Sequence, residues 1–152
     1  MLVTSNRLNA EEAEIRTITE VSPDGRTISF ATGLQYPRMG ELKNYSNGIK
    51  DWTMDTRVEV GLLSRNITTK GDDNTTDANR YGAHVMIMNN VKGNADNMAF
   101  YRMGQGGTLG RYPWHWHLLG AGGEGQYLSN CSIRKSYNRA VTVHGTWGYT
   151  CR

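Results

Sequence analysis

The chain has 152 residues and a formal net charge of +3, which fits one domain or one piece of a larger protein. Hydrophobic residues make up 38% and charged residues 20%, too apolar and too weakly charged for a disordered chain. The 18 glycines against 3 prolines exclude a Pro-rich or collagen-like repeat, and no apolar run reaches the ~18 residues that span a bilayer.

The opening MLVTSNRLNA lacks the apolar core of a signal peptide. Asn9 to Glu14 is short and acidic and suits a single helical turn. Ile15 to Val21 and Arg26 to Phe30 are rich in β-branched residues, and Ser22-Pro23-Asp24-Gly25 between them is a strong turn signal. This pattern predicts a β-hairpin. From Gln35 to Trp52 no periodicity survives the breakers Pro37, Gly40, Asn47 and Gly48, so a long irregular loop is expected.

Beyond this point short apolar or alternating runs recur, at Val58–Leu63, Asn66–Lys70, His84–Met88, Met98–Met103, Tyr127–Ile133 and Ala140–His144. Gly, Asn or Asp punctuates the gaps, and no amphipathic helix of ordinary length follows Trp52. The fold class is therefore all-β. Several runs start about 15–20 residues apart, which suggests stacked coils, although a β-sandwich uses strands of the same length. We divide the chain into a β-rich segment 1–56 and a coil region 57–152.

The densest motifs are Arg102-Met103-Gly104-Gln105, then Leu109-Gly110-Arg111-Tyr112-Pro113-Trp114-His115-Trp116-His117-Leu118, then Ser136-Tyr137-Asn138-Arg139-Ala140-Val141-Thr142-Val143-His144-Gly145. With Leu62 to Ile67 and Gly82 to Met86, they closely resemble the β-helix region of one extracellular family. Its members are the cell migration-inducing and hyaluronan-binding protein, the cell-surface hyaluronidase (transmembrane protein 2) and the fibrocystin-like proteins. The resemblance runs from about Val3 to Gly145. It implies a right-handed parallel β-helix, truncated at the C-terminus, from an extracellular or cell-surface protein that binds or depolymerises hyaluronan or a related acidic polysaccharide. Calcium dependence is implied as well.

If Trp114 to His117 is a strand, His115 and His117 face one side and Trp114 and Trp116 the other, so one pair is buried. His115 and His117 beside Arg111 are candidate catalytic groups, since imidazoles exchange protons near neutral pH. His84 and His144 sit at the edges of β runs, where a stacked fold could bring them close. Tyr112, Trp114 and Trp116 are candidates for stacking on sugar rings. Arg102 and Arg139, and with them Arg65 and Arg134, are candidates for gripping uronate carboxylates, because a guanidinium matches a carboxylate bidentately. Asp72, Asp73 and Asp77 in the loop GDDNTTD are candidate calcium ligands, although the spacing is not that of an EF-hand.

A glycosidase needs two carboxylates flanking the scissile bond, and no Asp or Glu lies between Met98 and Gly123. That favours His/Arg chemistry, or binding alone, within this block. A non-catalytic glycan-binding module and a structural stalk stand as alternatives. Sequons at Asn44, Asn66, Asn74 and Asn130 fit an extracellular origin. No membrane contact and no nucleic-acid partner are expected, because the charge is small and no basic cluster stands out. Cys131 and Cys151 lack CxxC spacing and could bridge only if the fold places them on adjacent rungs.

Overall fold

The computed structural model describes every residue except Asp73, Thr75, Thr76 and Arg152. The chain forms two compact units, residues 1–63 and 64–152. Among the described residues no helix is long and apolar enough to cross a membrane.

In the first unit β1 (Leu2–Val3) pairs antiparallel with β2 (Glu14–Ile15) and with β7 (Val60–Gly61). A 3-10 turn at Ala10–Glu12 follows Asn9, whose side chain accepts from the Glu11 N–H at 3.0 Å. The expected hairpin is present as β3 (Ile18–Val21) and β4 (Ile28–Phe30). Its turn closes through Ser22, whose carbonyl accepts from Gly25 N–H at 2.8 Å and whose own N–H donates to the Thr27 carbonyl at 2.9 Å.

The expected irregular loop needs correction, because it contains a second hairpin, β5 (Lys43–Ser46) and β6 (Asp51–Met54). Asn47 Oδ1 accepts from the N–H groups of Ile49 and Lys50, and Gly48 takes φ +81°, a turn conformation that favours glycine. Tyr45 and Trp52 stack across the strands with ring centroids 6.0 Å apart. Every residue of both strands is exposed. The pair therefore never had to show the in–out alternation that reveals a half-buried strand.

The second unit is built differently. Its strands are β8 (Ile67–Lys70), β9 (Met86–Ile87), β10 (Asn94–Asp96), β11 (Met98–Tyr101), β12 (Trp114–Gly120), β13 (Tyr127–Ser129), β14 (Ser132–Arg134), β15 (Val141–Thr146) and β16 (Thr150–Cys151). They form three parallel sheets, ordered β14-β11-β8, β15-β12-β9 and β10-β13-β16. The chain thus visits the three sheets in one fixed cyclic order and adds a strand to each on every pass. Paired residues lie 27 apart at His117 and His144 and 33 apart at Asn94 and Tyr127. One pass is longer than the 15–20 residue spacing of the apolar runs because each pass carries more than one run.

Left-handed corners recur at the same step. Asn97 (φ 56°) and Asn130 (φ 51°) turn one corner, and Arg102 (φ 51°) and Lys135 (φ 49°) the next. Asn tolerates this conformation because its short amide finds local partners, and Asn130 Nδ2 donates to Asp96 Oδ1 at 3.0 Å.

One core joins strands from all three sheets: Ile87 of β9, Ala95 of β10, Phe100 of β11, Trp114 and Trp116 of β12 and Leu128 of β13, with Met103 beside them. Burial of Ile87, Phe100, Met103 and Leu128 stabilises by about 1.5–3 kcal/mol each relative to exposure. Trp116 is 0% exposed. Its Nε1–H donates at 3.0 Å to Oε1 of Gln126, which is itself buried, so the indole is both packed and satisfied. Cys131 and Cys151 are free thiols, and the partner of Cys151 across the strands is Leu128.

Candidate functional site

The site grows from the alternation along β12. Trp114 and Trp116 point into the core, opposite Val141 and Val143 of β15. His115 and His117 therefore take the other face, where they lie opposite Thr142 and His144. On the β9 side His115 faces Met86. The ladder is interrupted immediately after His117 by a register shift between His117 and Gly120, with Leu118 at φ 53°. A branched aliphatic residue pays strain in that conformation, and the irregularity ends the flat face at the histidine pair.

Three imidazoles converge there. The rings of His115 and His117 are 4.9 Å apart, those of His117 and His144 5.0 Å, and those of His115 and His144 6.3 Å. The Nδ1 atoms of His117 and His144 approach to 3.2 Å. One nitrogen from each of His115, His117 and His144 lies within 4.8 Å of the others. The trio lines an open groove of ≈ 540 Å³ with Met86, Gly110, Tyr112, Arg139 and Thr142.

His115 is only 2% exposed. Its Nδ1 is 3.1 Å from the Gly110 carbonyl, which can only accept, so Nδ1 carries the proton and Nε2 holds a lone pair. That Nε2 is buried and has no hydrogen-bond partner. Burial lowers the His115 pKa, against a smaller upward pull from the Gly110 carbonyl, with the neighbouring His117 and His144 adding to the lowering. The Oγ1 of Thr142, the residue opposite His115, is likewise buried without a partner.

His84 stands apart from the trio. Its Nε2 accepts from Arg111 Nη1 at 2.5 Å, so this ring is neutral, and burial followed by the Arg111 charge lowers its pKa. Neither His84 nor Arg111 lines the groove, and convergence of all four histidines is thereby corrected to three. The grouping of Arg111 with His115 and His117 is corrected to a pairing of Arg111 with His84.

The aromatic candidates are corrected too. Trp114, Trp116 and Tyr112 are buried and offer no open face to a sugar ring. Tyr112 is held edge-on to His115 at 5.0 Å and under the Arg139 guanidinium at 5.9 Å. Of the described arginines, Arg139 lines the groove. Arg102 and Arg134 lie over the Tyr101 ring at 5.5 and 5.7 Å, and Arg65 Nε donates to the Asn130 carbonyl at 2.8 Å.

The acidic loop is described only in part. Asp77 Oδ1 accepts from the Tyr137 hydroxyl at 3.0 Å, Asp72 is exposed and lines a separate depression with Asn74 and Tyr81, and Asp73 lies outside the described residues. Among the described residues the side chains arranged to share an ion are the three histidines. Thr142 and Gly110 carried no sequence signal, because their role comes from strand pairing and from one carbonyl.

The family model described as CEMIP beta-helix matches residues 80–152, the stretch that carries all three histidines. This stretch, just under half of the chain, is similar to the CEMIP beta-helix family. Fibrocystin-L of Mus musculus is 31% identical over 180 residues that cover 94% of this chain and 4% of that protein. The Homo sapiens Fibrocystin-L is 32% identical with the same coverage. A G8 domain-containing protein of Dictyostelium discoideum is 36% identical over 137 residues, 90% of this chain and 8% of that protein. The chain thus spans a small part of the length of these curated relatives.

Proposed function

We propose that the CEMIP beta-helix stretch is part of a right-handed parallel β-helix in an extracellular protein, and that its histidine groove binds and depolymerises hyaluronan or a related acidic polysaccharide. The observation that carries this reading is the convergence of His115, His117 and His144 along an open groove that also holds Arg139. The cyclic order of the three parallel sheets supports the coil, and the family supports the setting.

The chemistry follows from what lines the groove. Arg139 meets a uronate carboxylate and neutralises it. Of the two more accessible imidazoles, His117 and His144, one takes the proton beside the uronate carboxylate and the other gives a proton to the departing glycosidic oxygen, while His115, kept neutral by burial, holds its ring against theirs. Among the described residues the groove lining includes no Asp or Glu, so a carboxylate-pair hydrolysis would have to bring both acids from elsewhere. Because the Trp pair is buried, the polymer is held by charge and hydrogen bonds rather than by stacking on indole rings.

The test is the length distribution of high-molecular-weight hyaluronan after incubation with the full chain, beside His117→Ala and Arg139→Ala variants. Shortened polymer, lost in both variants, is the expected result. A new ultraviolet absorbance from a double bond conjugated to the carboxylate marks elimination, and shortened polymer without it marks hydrolysis. Salt-sensitive binding with unchanged length assigns a binding module. Absence of both binding and cleavage refutes the glycan reading.

A further inference from the structure

We infer that His115, His117 and His144 form a binding site for one divalent transition-metal ion of the zinc type. Two nitrogens held at about 2.05 Å from one tetrahedral ion lie about 3.3 Å apart. The Nδ1 atoms of His117 and His144 are 3.2 Å apart, so this pair is already set as two corners of such a polyhedron. The third ligand is His115 Nε2, a buried nitrogen with no other partner. Its opposite nitrogen is fixed on the Gly110 carbonyl at 3.1 Å. A backbone carbonyl on the far side of the ring is the arrangement that sets the tautomer of a metal-binding imidazole.

The trio spans at most 4.8 Å between ligand atoms, so closing on an ion requires a movement of about 1.5 Å relative to the ~3.3 Å of the ideal set. His144 is exposed and His117 half-buried, and both can turn at the side chain, whereas His115 is wedged against Tyr112. All three donors are nitrogens, and among the described residues the groove lining includes no carboxylate. Imidazole donors suit zinc, cobalt, nickel or copper, and hard oxygen-seeking calcium prefers carboxylates and carbonyls. Three protein ligands leave the fourth position open toward the groove, beside Arg139 and the unpaired Thr142 Oγ1. This inference deepens the glycan reading by naming a second cation for the carboxylate, and on that point it rests on that reading. The ion would take the lone pairs that imidazole proton transfer uses, so a loaded groove would hold the carboxylate between the ion and Arg139, and proton transfer belongs to the metal-free groove.

The experiment is titration of the metal-free full chain with cobalt(II) chloride, followed by visible absorbance and then by displacement with zinc chloride. We expect one ion per chain with the strong visible bands of tetrahedral cobalt. Affinity should drop by at least about tenfold in His117→Ala and in His144→Ala and stay unchanged in His84→Ala, with far-UV spectra confirming folded variants. Absent bands, or bands that survive both variants, overturn the assignment. The readout needs no glycan. Ion binding without hyaluronan binding or cleavage refutes the glycan reading alone, and glycan cleavage by a chain that binds no ion refutes the ion site alone.

Discussion

Replacing Gln126 by Leu tests whether one buried amide holds the histidine strand in place. Gln126 is 1% exposed and uses every polar position of its side chain. Oε1 accepts from Trp116 Nε1–H at 3.0 Å and from Gly93 N–H at 2.9 Å, while Nε2 donates to the carbonyls of Gly122 at 2.7 Å and Val91 at 3.3 Å. Leucine fills similar volume but leaves the two donors without an acceptor inside the core. Each stranded donor costs about 1–3 kcal/mol, and the two carbonyls lose one partner each. Some of this is recovered by the apolar side chain, so the net loss should be about 2–5 kcal/mol. Urea unfolding of the full chain, followed by tryptophan emission, measures it as a lower midpoint with unchanged slope. Trp116 lies between His115 and His117 on β12, so the variant should also weaken ligand binding in the groove. A loss below about 0.5 kcal/mol would refute the reasoning, because it would mean that the indole and Gly93 find other acceptors at no cost.

Three other outcomes are expected. Gly82→Ala places a methyl group 2.3 Å from the Arg102 carbonyl oxygen and 2.9 Å from that of Gly104. Because those are backbone atoms, it should destabilise by about 1–3 kcal/mol or more in the same unfolding assay. Glu14 in the first unit should make stability depend on pH. Burial opposes its charge, but the N–H groups of Gln35 and Tyr36 and the guanidiniums of Arg16 and Arg38 outweigh that and lower its pKa. The unfolded chain then binds the proton more readily, so this contribution is complete above the ordinary carboxylate value of 4.5 and is lost as pH falls through the lower folded value. Glu14→Gln should flatten that acid limb of the unfolding midpoint, and an unchanged limb would contradict it. Arg139→Lys should keep folding intact but reduce hyaluronan affinity by about tenfold if a bidentate carboxylate contact is made, and equal affinity would show that only charge matters.

Parts of this architecture are written locally in the chain and parts are not. The β3–β4 hairpin was legible because Ser22 to Gly25 carries its own turn chemistry. The β5–β6 hairpin was not, because both faces are exposed and its stabilising Tyr45–Trp52 contact leaves no periodic signature. The alternation Trp114-His115-Trp116-His117 announced two opposite faces. Which face lies inside was decided by Phe100 and Leu128 of other strands and by Gln126, just before β13. The convergence of His144 on His117 depends on parallel register at a separation of 27 residues, which no local pattern encodes. His84 resembled the others as a histidine beside an apolar run, yet a single guanidinium claimed its lone pair.

His144 stands on β15 and His117 on β12, two strands joined by a parallel ladder. A ligand held by both imidazoles therefore also ties the two strands together, and binding it and keeping that ladder closed are two descriptions of one equilibrium. Amide exchange along Val141–Thr146 should slow when the groove is filled. The groove is thus a clasp across the ladder: what fills it is felt in the backbone as well as in the side chains.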